Sequence, residues 1–332
     1  MSRALDPSVK KALQNGNHGE AFEHISAVLD SSHGTTYLEI EILPKSHVLG
    51  ADTYILQDGE YIGIPKLRLV QAFLHARQML NQVLLSEGSF HDEKVMRATA
   101  VLLLMDSEHL TAANVRKRVI SRVASLDDGQ RKDLMTREAY FLNSLLRSRL
   151  HRHTKSPVLW NHKRWLARQL RDHGVPICLL HEFEQVICVA AERHARNYYA
   201  WTYARDVITM EIASLTPRAA SSVVDSVLPV VTNWCRLHHQ DVSGWAFLLH
   251  LVGLFPEKGQ DVAEETLRLV EKFKWRNESV WHFLKNLALM PALQAKKKSI
   301  VEVWRKMKLS VDGEASMDAI TLDRAAAWGG FS

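Results

Sequence analysis

Residues 197–208 read Asn-Tyr-Tyr-Ala-Trp-Thr-Tyr-Ala-Arg-Asp-Val-Ile, and this stretch decides the fold. Asn197 is a good helix N-cap, because its side chain can accept a bond from an N–H that the first helical turn leaves unsatisfied. Trp201, four residues later, falls on the inner side of that turn, where a large flat ring fills space between helices. Three further segments share the arrangement: Ser156 before Trp160, Asp241 before Trp245 and Asn277 before Trp281. Successive tryptophans are 41, 44 and 36 positions apart. A fifth copy, HLTAANVRKRVI, fits the frame with Ala113 in the Trp position. A period of about 40 residues with one amphipathic hairpin per repeat marks an α-solenoid. The sequence therefore predicts an all-α fold, a right-handed α–α superhelix of about five helical hairpins.

Helical periodicity begins at Lys66. LRLVQAFLHARQMLNQVLL is long and free of breakers, and Phe183, Val186, Ile187, Ala190 and Ala191 form one apolar stripe. Val262, Leu269, Val270 and Phe273 form a second. The linkers RDHGVP, SLTPR and FPEKG are short and carry Gly or Pro, so neighbouring helices pack antiparallel. Before residue 67 the runs TTYLEIEIL and DTYILQDGEYIGIP read as short strands or extended segments. The expected organisation is an irregular, partly extended N-terminal segment (1–66), helical repeats (67–310) and a C-terminal tail (311–332).

Gly (15) and Pro (9) are scarce in the 332 residues, which favours helices over a turn-rich β architecture. No stretch approaches the roughly 20 apolar residues of a membrane helix. The N-terminal segment has no apolar core of a secretory signal, and the expected location is the cytoplasm. Cys178, Cys188 and Cys235 lack metal-ligand spacing and read as reduced thiols. Between Leu110 and Val175 there are 15 Lys/Arg and 5 Asp/Glu, a local balance of +10 within a chain of net charge +5. Such a block is either a solvated helical face or an attractor for a polyanion.

The core Asn197-Tyr198-Tyr199-Ala200-Trp201, recurring at one spacing, resembles the repeat of protein prenyltransferase α subunits. HLTAANVRKRVI and KSPVLWNHKRWLARQL look most like the divergent α-subunit repeat-containing branch of that family, and the likeness covers residues 67–309. The Arg that the family repeat carries three residues after Trp is Lys163, Ala204 (followed by Arg205), Leu248 and Leu284 here. The resemblance implies a crescent of hairpins around a separate β subunit of Rab geranylgeranyltransferase type. That β subunit would hold the zinc, the isoprenoid diphosphate and a protein substrate with a C-terminal cysteine; this chain would carry no cofactor and be inactive alone. The resemblance places Lys155 at the diphosphate-contacting lysine, and Arg196, Asn197, Tyr198 and Tyr199 beside the diphosphate and substrate. Tyr199 stands where the family has His.

The chemistry asks for such residues. Prenyl transfer to a thiolate builds negative charge on the departing diphosphate, and a Lys or other donor aimed there lowers the barrier. The alternative function is a non-catalytic scaffold whose helical repeats bind a protein. RNA binding through the basic block fits less well, because the repeated aromatics sit at core spacing.

Overall fold

The capped helix starts set the architecture. The computed structural model describes residue 13 and residues 16–30, 37–44, 50, 53–85, 92–122, 127–311 and 316–331. It is an all-helical repeat fold with a small strand-bearing N-terminal region, in two compact units, Met1–Ile177 and Cys178–Ser332.

In the first unit the order is α1 (His18–Asp30), β1 (Glu39–Leu43), β2 (Leu56–Asp58), β3 (Tyr61–Pro65), α2 (Lys66–Leu85), α3 (Asp92–Met105), α4 (Leu110–Arg122), α5 (Asp128–Arg147) and α6 (Pro157–Asp172). Residues 1–66 thus hold a helix besides the expected extended segments. Phe22, Ile25 and Leu29 of α1 are buried, and the helix packs on α2 and α3. The three-stranded sheet has order β1-β3-β2, with β1 parallel and β2 antiparallel to β3. Its outer edge is closed by a helix: Ser144 of α5 and Ser148, its C-cap, accept bonds from Leu38 N (3.1 Å) and Ile40 N (2.9 Å). Hydroxyls on a helix thereby take donors that an edge strand leaves open.

The second unit runs α7 (Leu179–Glu182), a π-helical turn (Phe183–Ile187), α8 (Cys188–Arg193), α9 (Tyr198–Ile212), α10 (Pro217–Leu237), α11 (Val242–Leu254), α12 (Gly259–Phe273), α13 (Glu278–Leu289), α14 (Gln294–Leu309) and α15 (Met317–Gly329). The C-terminal residues are therefore not a bare tail; Leu322 and Ala325 of α15 are buried, and it packs against α13 and α14.

Trp160, Trp201, Trp245 and Trp281 occupy equivalent buried positions, each 0–2% exposed. Ser156, Asn197 and Asp241 cap their helices through the side chain. Asn277 does not; its amide donates instead to His239 O at 2.7 Å, a bond to the preceding repeat. In the fifth copy the cap is His109, whose Nδ1 accepts from Ala112 N (3.2 Å). A sixth copy begins at Ser316, which caps α15 through Ala319 N, with Ile320 in the Trp position. Gly244 lies against Trp234, where a Cβ would come within 2.4 Å of the ring. On α12 the buried stripe is Val262, Ala263, Thr266, Leu267 and Val270. Phe273 ends the helix exposed and stacked on Trp275, because the last turn breaks at Lys274 in the left-handed conformation (φ 54°).

The indole N–H of Trp160, Trp245 and Trp281 each donates to the carbonyl six residues upstream, at 2.9, 3.0 and 3.0 Å. Trp201 Nε1 is buried without a partner, and that ring is held by Trp234 and Phe247, 4.9 and 5.3 Å away between centroids. Trp281→Phe should therefore cost about 1 kcal/mol more stability than Trp201→Phe, since only the former loses a hydrogen bond, to the part-buried Trp275 O. Chemical denaturation of the two variants measures the difference.

Candidate functional site

Lys155 lies in a short 3₁₀ turn, His153–Lys155, immediately before the capped start of α6. Three bonds fasten the turn around it. The His153 ring meets Leu103 O at 2.9 Å, Thr154 O accepts the Trp160 indole at 2.9 Å, and Ser156 Oγ donates to Ser107 O at 2.9 Å. Burial lowers the His153 pKa, so its ring is neutral and Nε2–H is the donor. The Lys155 backbone is fixed, while its side chain is half-buried with no hydrogen bond or ion pair among the described residues. An ammonium so placed, beside a helix N-terminus, is suited to an anion.

The Arg196–Tyr199 turn belongs to the second unit. Arg196 is exposed with φ 57°, a left-handed residue costing strain on the order of 1 kcal/mol. Its N–H donates to Asp241 Oδ2 at 2.6 Å. The other oxygen of Asp241 caps α11 through Ser243 N (2.9 Å) and Gly244 N (3.1 Å), so one carboxylate joins two consecutive repeats. Asn197 is fully buried: Oδ1 caps α9 through Ala200 N (3.3 Å), and Nδ2 donates to Ala190 O (3.2 Å). Tyr198 is 63% exposed and meets the half-buried Tyr199 edge to face at 5.7 Å. A cleft of about 390 Å³ opens beside the turn, lined by Glu192, Arg196, Leu237, His238, His239 and Asp241. Further along this edge, Ser279 Oγ donates to Gln240 O (3.0 Å), and Arg276 reaches Ser310 O (2.7 Å).

The positions of the missing repeat arginines are structural. Lys163 is buried and donates to Asn143 Oδ1, Arg205 donates to Ala246 O (2.7 Å), and Leu248 and Leu284 are core.

A buried cluster in the first unit has no counterpart in the sequence motifs. Arg116 forms a bidentate pair with Glu138 and also donates to Met96 O (2.6 Å) and Thr99 Oγ1 (3.1 Å). The pair walls a cavity of about 340 Å³ that Leu29, Met96, Val119 and Phe141 also line. His162 Nε2 lies 3.3 Å from Glu138 Oε1, yet neither ring nitrogen makes an aligned hydrogen bond. Burial pushes the His162 pKa down to about 3, outweighing the pull of Glu138. Burial raises the Glu138 pKa, but Arg116 and His162 overcome it and leave it below the ordinary value. Cys188 and Cys235 are buried thiols whose pKa burial raises, to about 12 for Cys188; Cys178 is exposed. No group of three or more His, Cys, Asp or Glu suited to a metal ion occurs among the described residues.

Capped hairpins stacked at steps of 36–47 residues define an α-helical repeat protein. A family model described as the ECM9 middle domain matches residues 159–273. Over 191 residues the chain is 27% identical to protein prenyltransferase alpha subunit repeat-containing protein 1 of Danio rerio, covering 52% of this chain and 41% of that protein. Over 172 residues it is 27% identical to the corresponding proteins of Xenopus laevis (form 1-A; 47% and 36% covered) and Homo sapiens (47% and 39%). The chain spans about two fifths of the length of these curated relatives.

Two outcomes follow from the geometry. Asp241→Ala removes a cap and the tie to Arg196, and should lower stability by roughly 2–4 kcal/mol, readable in denaturant melts. His162 is neutral in the native state down to about pH 3, whereas an unfolded His binds a proton near its ordinary value of 6.5. The unfolded state therefore binds more protons in that window, and stability should fall by up to about 1.4 kcal/mol per unit as pH drops through it. Below 4.5, the ordinary value of a glutamate, the loss steepens, because the Glu138 carboxylate's contribution also disappears. Thermal melts across pH 4–7 should show a flatter profile for His162→Gln.

Proposed function

We propose that the chain is the α-type subunit of a heterodimeric protein prenyltransferase, completing the active site of a β subunit that binds zinc and isoprenoid diphosphate. The reaction is geranylgeranyl transfer to a C-terminal cysteine of a protein, with a Rab geranylgeranyltransferase-type β subunit as partner. The observation that carries the reading is Lys155: an ammonium without an internal partner, on a turn fastened on both sides, at the head of α6. That is a preorganised donor for the charge developing on a leaving diphosphate. In this reading the Arg196–Tyr199 turn of the second unit offers two tyrosyl hydroxyls and positive charge to an anion. Asn197, whose amide is engaged within the protein, acts by fixing the turn that presents them. The similarity to prenyltransferase α-subunit repeat-containing proteins supports the same choice.

A partner subunit also suits the exposed apolar edge of the second unit. Helix starts and ends there present Tyr198, Leu237, Val242, Phe273, Leu309 and Met317, the last two 88% and 72% exposed. A row of large apolar side chains on one edge is the signature of a protein-binding face. The scaffold reading draws on the same edge, together with the internal engagement of Asn197.

Lys155→Ala in the reconstituted heterodimer separates the two readings. Subunit binding should persist, because one lysine contributes little to a large interface. Prenyl transfer to a cysteine-terminated acceptor should fall roughly ten- to a thousandfold. Equal transfer by both complexes, or none by the wild-type pair, would leave the scaffold.

A further inference from the structure

Helices α1, α3, α4 and α5 of the first unit pack in a closed ring, each against the next. All four contribute walls to the cavity of about 340 Å³ that Arg116 and Glu138 border: Leu29 from α1, Met96 from α3, Val119 from α4, and Leu134 and Phe141 from α5. Leu29, Met96, Val119 and Phe141 are buried, so these walls belong to the core. A molecule of liquid water takes up about 30 Å³, so roughly ten would fit, against walls that give them few hydrogen-bond partners. Close-packed interiors leave few voids larger than a single water. A cavity of this size, between helices and lined mainly by apolar side chains, has the form of a small-ligand site.

Two sets of polar groups define what fits. In the wall, Arg116 and Glu138 neutralise each other, and four of the five Arg116 N–H groups are engaged by Glu138, Met96 O and Thr99 Oγ1. The guanidinium also lies over the Phe141 ring, 4.3 Å from its centroid. A charged group pressed against this wall would lose its hydration without gaining a counter-charge, so the inner part of a ligand must be apolar. The other charged lining groups are Asp30, Glu93, Asp133 and Arg137, all exposed, and they form the mouth. Asp133 and Arg137 pair with each other at 3.0 Å. Asp30 and Glu93 have no ion pair or side-chain hydrogen bond among the described residues. Asp30 is also the last residue of α1, where the helix dipole is negative too. Charges further off are screened beyond about 8–10 Å at physiological salt. The mouth itself, with three carboxylates against one guanidinium, therefore sets the sign of the ligand. That sign disfavours an isoprenoid diphosphate or a fatty acid.

We propose that the cavity ringed by α1, α3, α4 and α5 binds a small organic cation, an ammonium carried on an aliphatic or aromatic body. The body lies against Leu29, Met96, Val119 and Phe141, and the ammonium meets Asp30 and Glu93 at the mouth. A partner helix, about 10 Å across, is too wide for a space of this volume. Neither Lys155 nor the Arg196–Tyr199 turn lines the cavity, so the site does not depend on the enzymatic reading.

Isothermal titration of the full chain with three probes that share one apolar body, octylammonium, octanol and octanoate, tests it. Octylammonium should bind saturably at one site per chain, roughly tenfold tighter than octanol, about the gain from two exposed ion pairs. Octanoate should bind more weakly than octanol. Val119→Trp fills the cavity and should abolish binding of octylammonium. Asp30→Asn/Glu93→Gln leaves the walls intact and should bring octylammonium to within about twofold of octanol. Should circular dichroism show Val119→Trp unfolded, the double variant decides alone. Leu237→Ser/Leu309→Ser, on the exposed edge of the second unit, should bind octylammonium like wild type. The proposal is overturned by absence of saturable octylammonium binding, by undiminished binding to folded Val119→Trp, or by loss of binding in the edge variant. It is equally overturned by an ammonium preference that survives removal of both carboxylates, or by octanoate binding as tightly as octylammonium.

Discussion

A helix start leaves backbone N–H groups without partners, and a stack of hairpins must close one such start in every repeat. Here the polar residue four places before the position that Trp fills in four of the six copies does so through its side chain in every copy but that of Asn277. The same residues also reach the preceding repeat: Ser156 to Ser107, Asp241 to Arg196, Asn277 to His239. One atom group thus terminates a helix and sets its distance from its neighbour. The buried indoles are placed by that constraint, and most return a hydrogen bond to the loop that precedes their own helix. Coupling of this kind links nearest neighbours only, which is how repeat arrays accumulate stability.

The candidate site follows from the same device. Lys155 and Arg196 flank caps, so each is carried on a turn that the repeat must make rigid anyway. The strained φ of Arg196 persists because Asp241 holds its N–H, and the loop that makes this bond lacks the indole bond found in the other three Trp repeats. The candidate residues thus sit on turns whose geometry the fold already needs.

Much of this was legible in the sequence because caps and tryptophans are local signals. Ser156, Asn197 and Asp241 do what their residue types suggest, and Ala113 fills the Trp position in the copy expected to have it. What was not legible depends on contacts between distant residues or on unlike substitutes. Ile320 hides the sixth copy because it is not aromatic, and His109 hides a cap because His is an unusual one. Asn277 has the residue type of a cap, but a neighbour 38 residues away claims its amide. The Arg116–Glu138–His162 cluster comes from three different helices, with no spacing to announce it. Helix α1 does carry its pattern, Phe22, Ile25 and Leu29, next to runs whose β-branched residues dominate the local impression.

The three cysteines divide the molecule in a useful way. Cys188 and Cys235 are sealed in the second unit with their thiols held protonated by burial, while Cys178 stands exposed at its first residue. Thiolate-directed reagents discriminate by access and ionisation. A maleimide fluorophore or spin label added to the unmodified native chain will therefore mark a single point, at the seam where one unit gives way to the other. Events local to that boundary become observable without introducing or removing a residue.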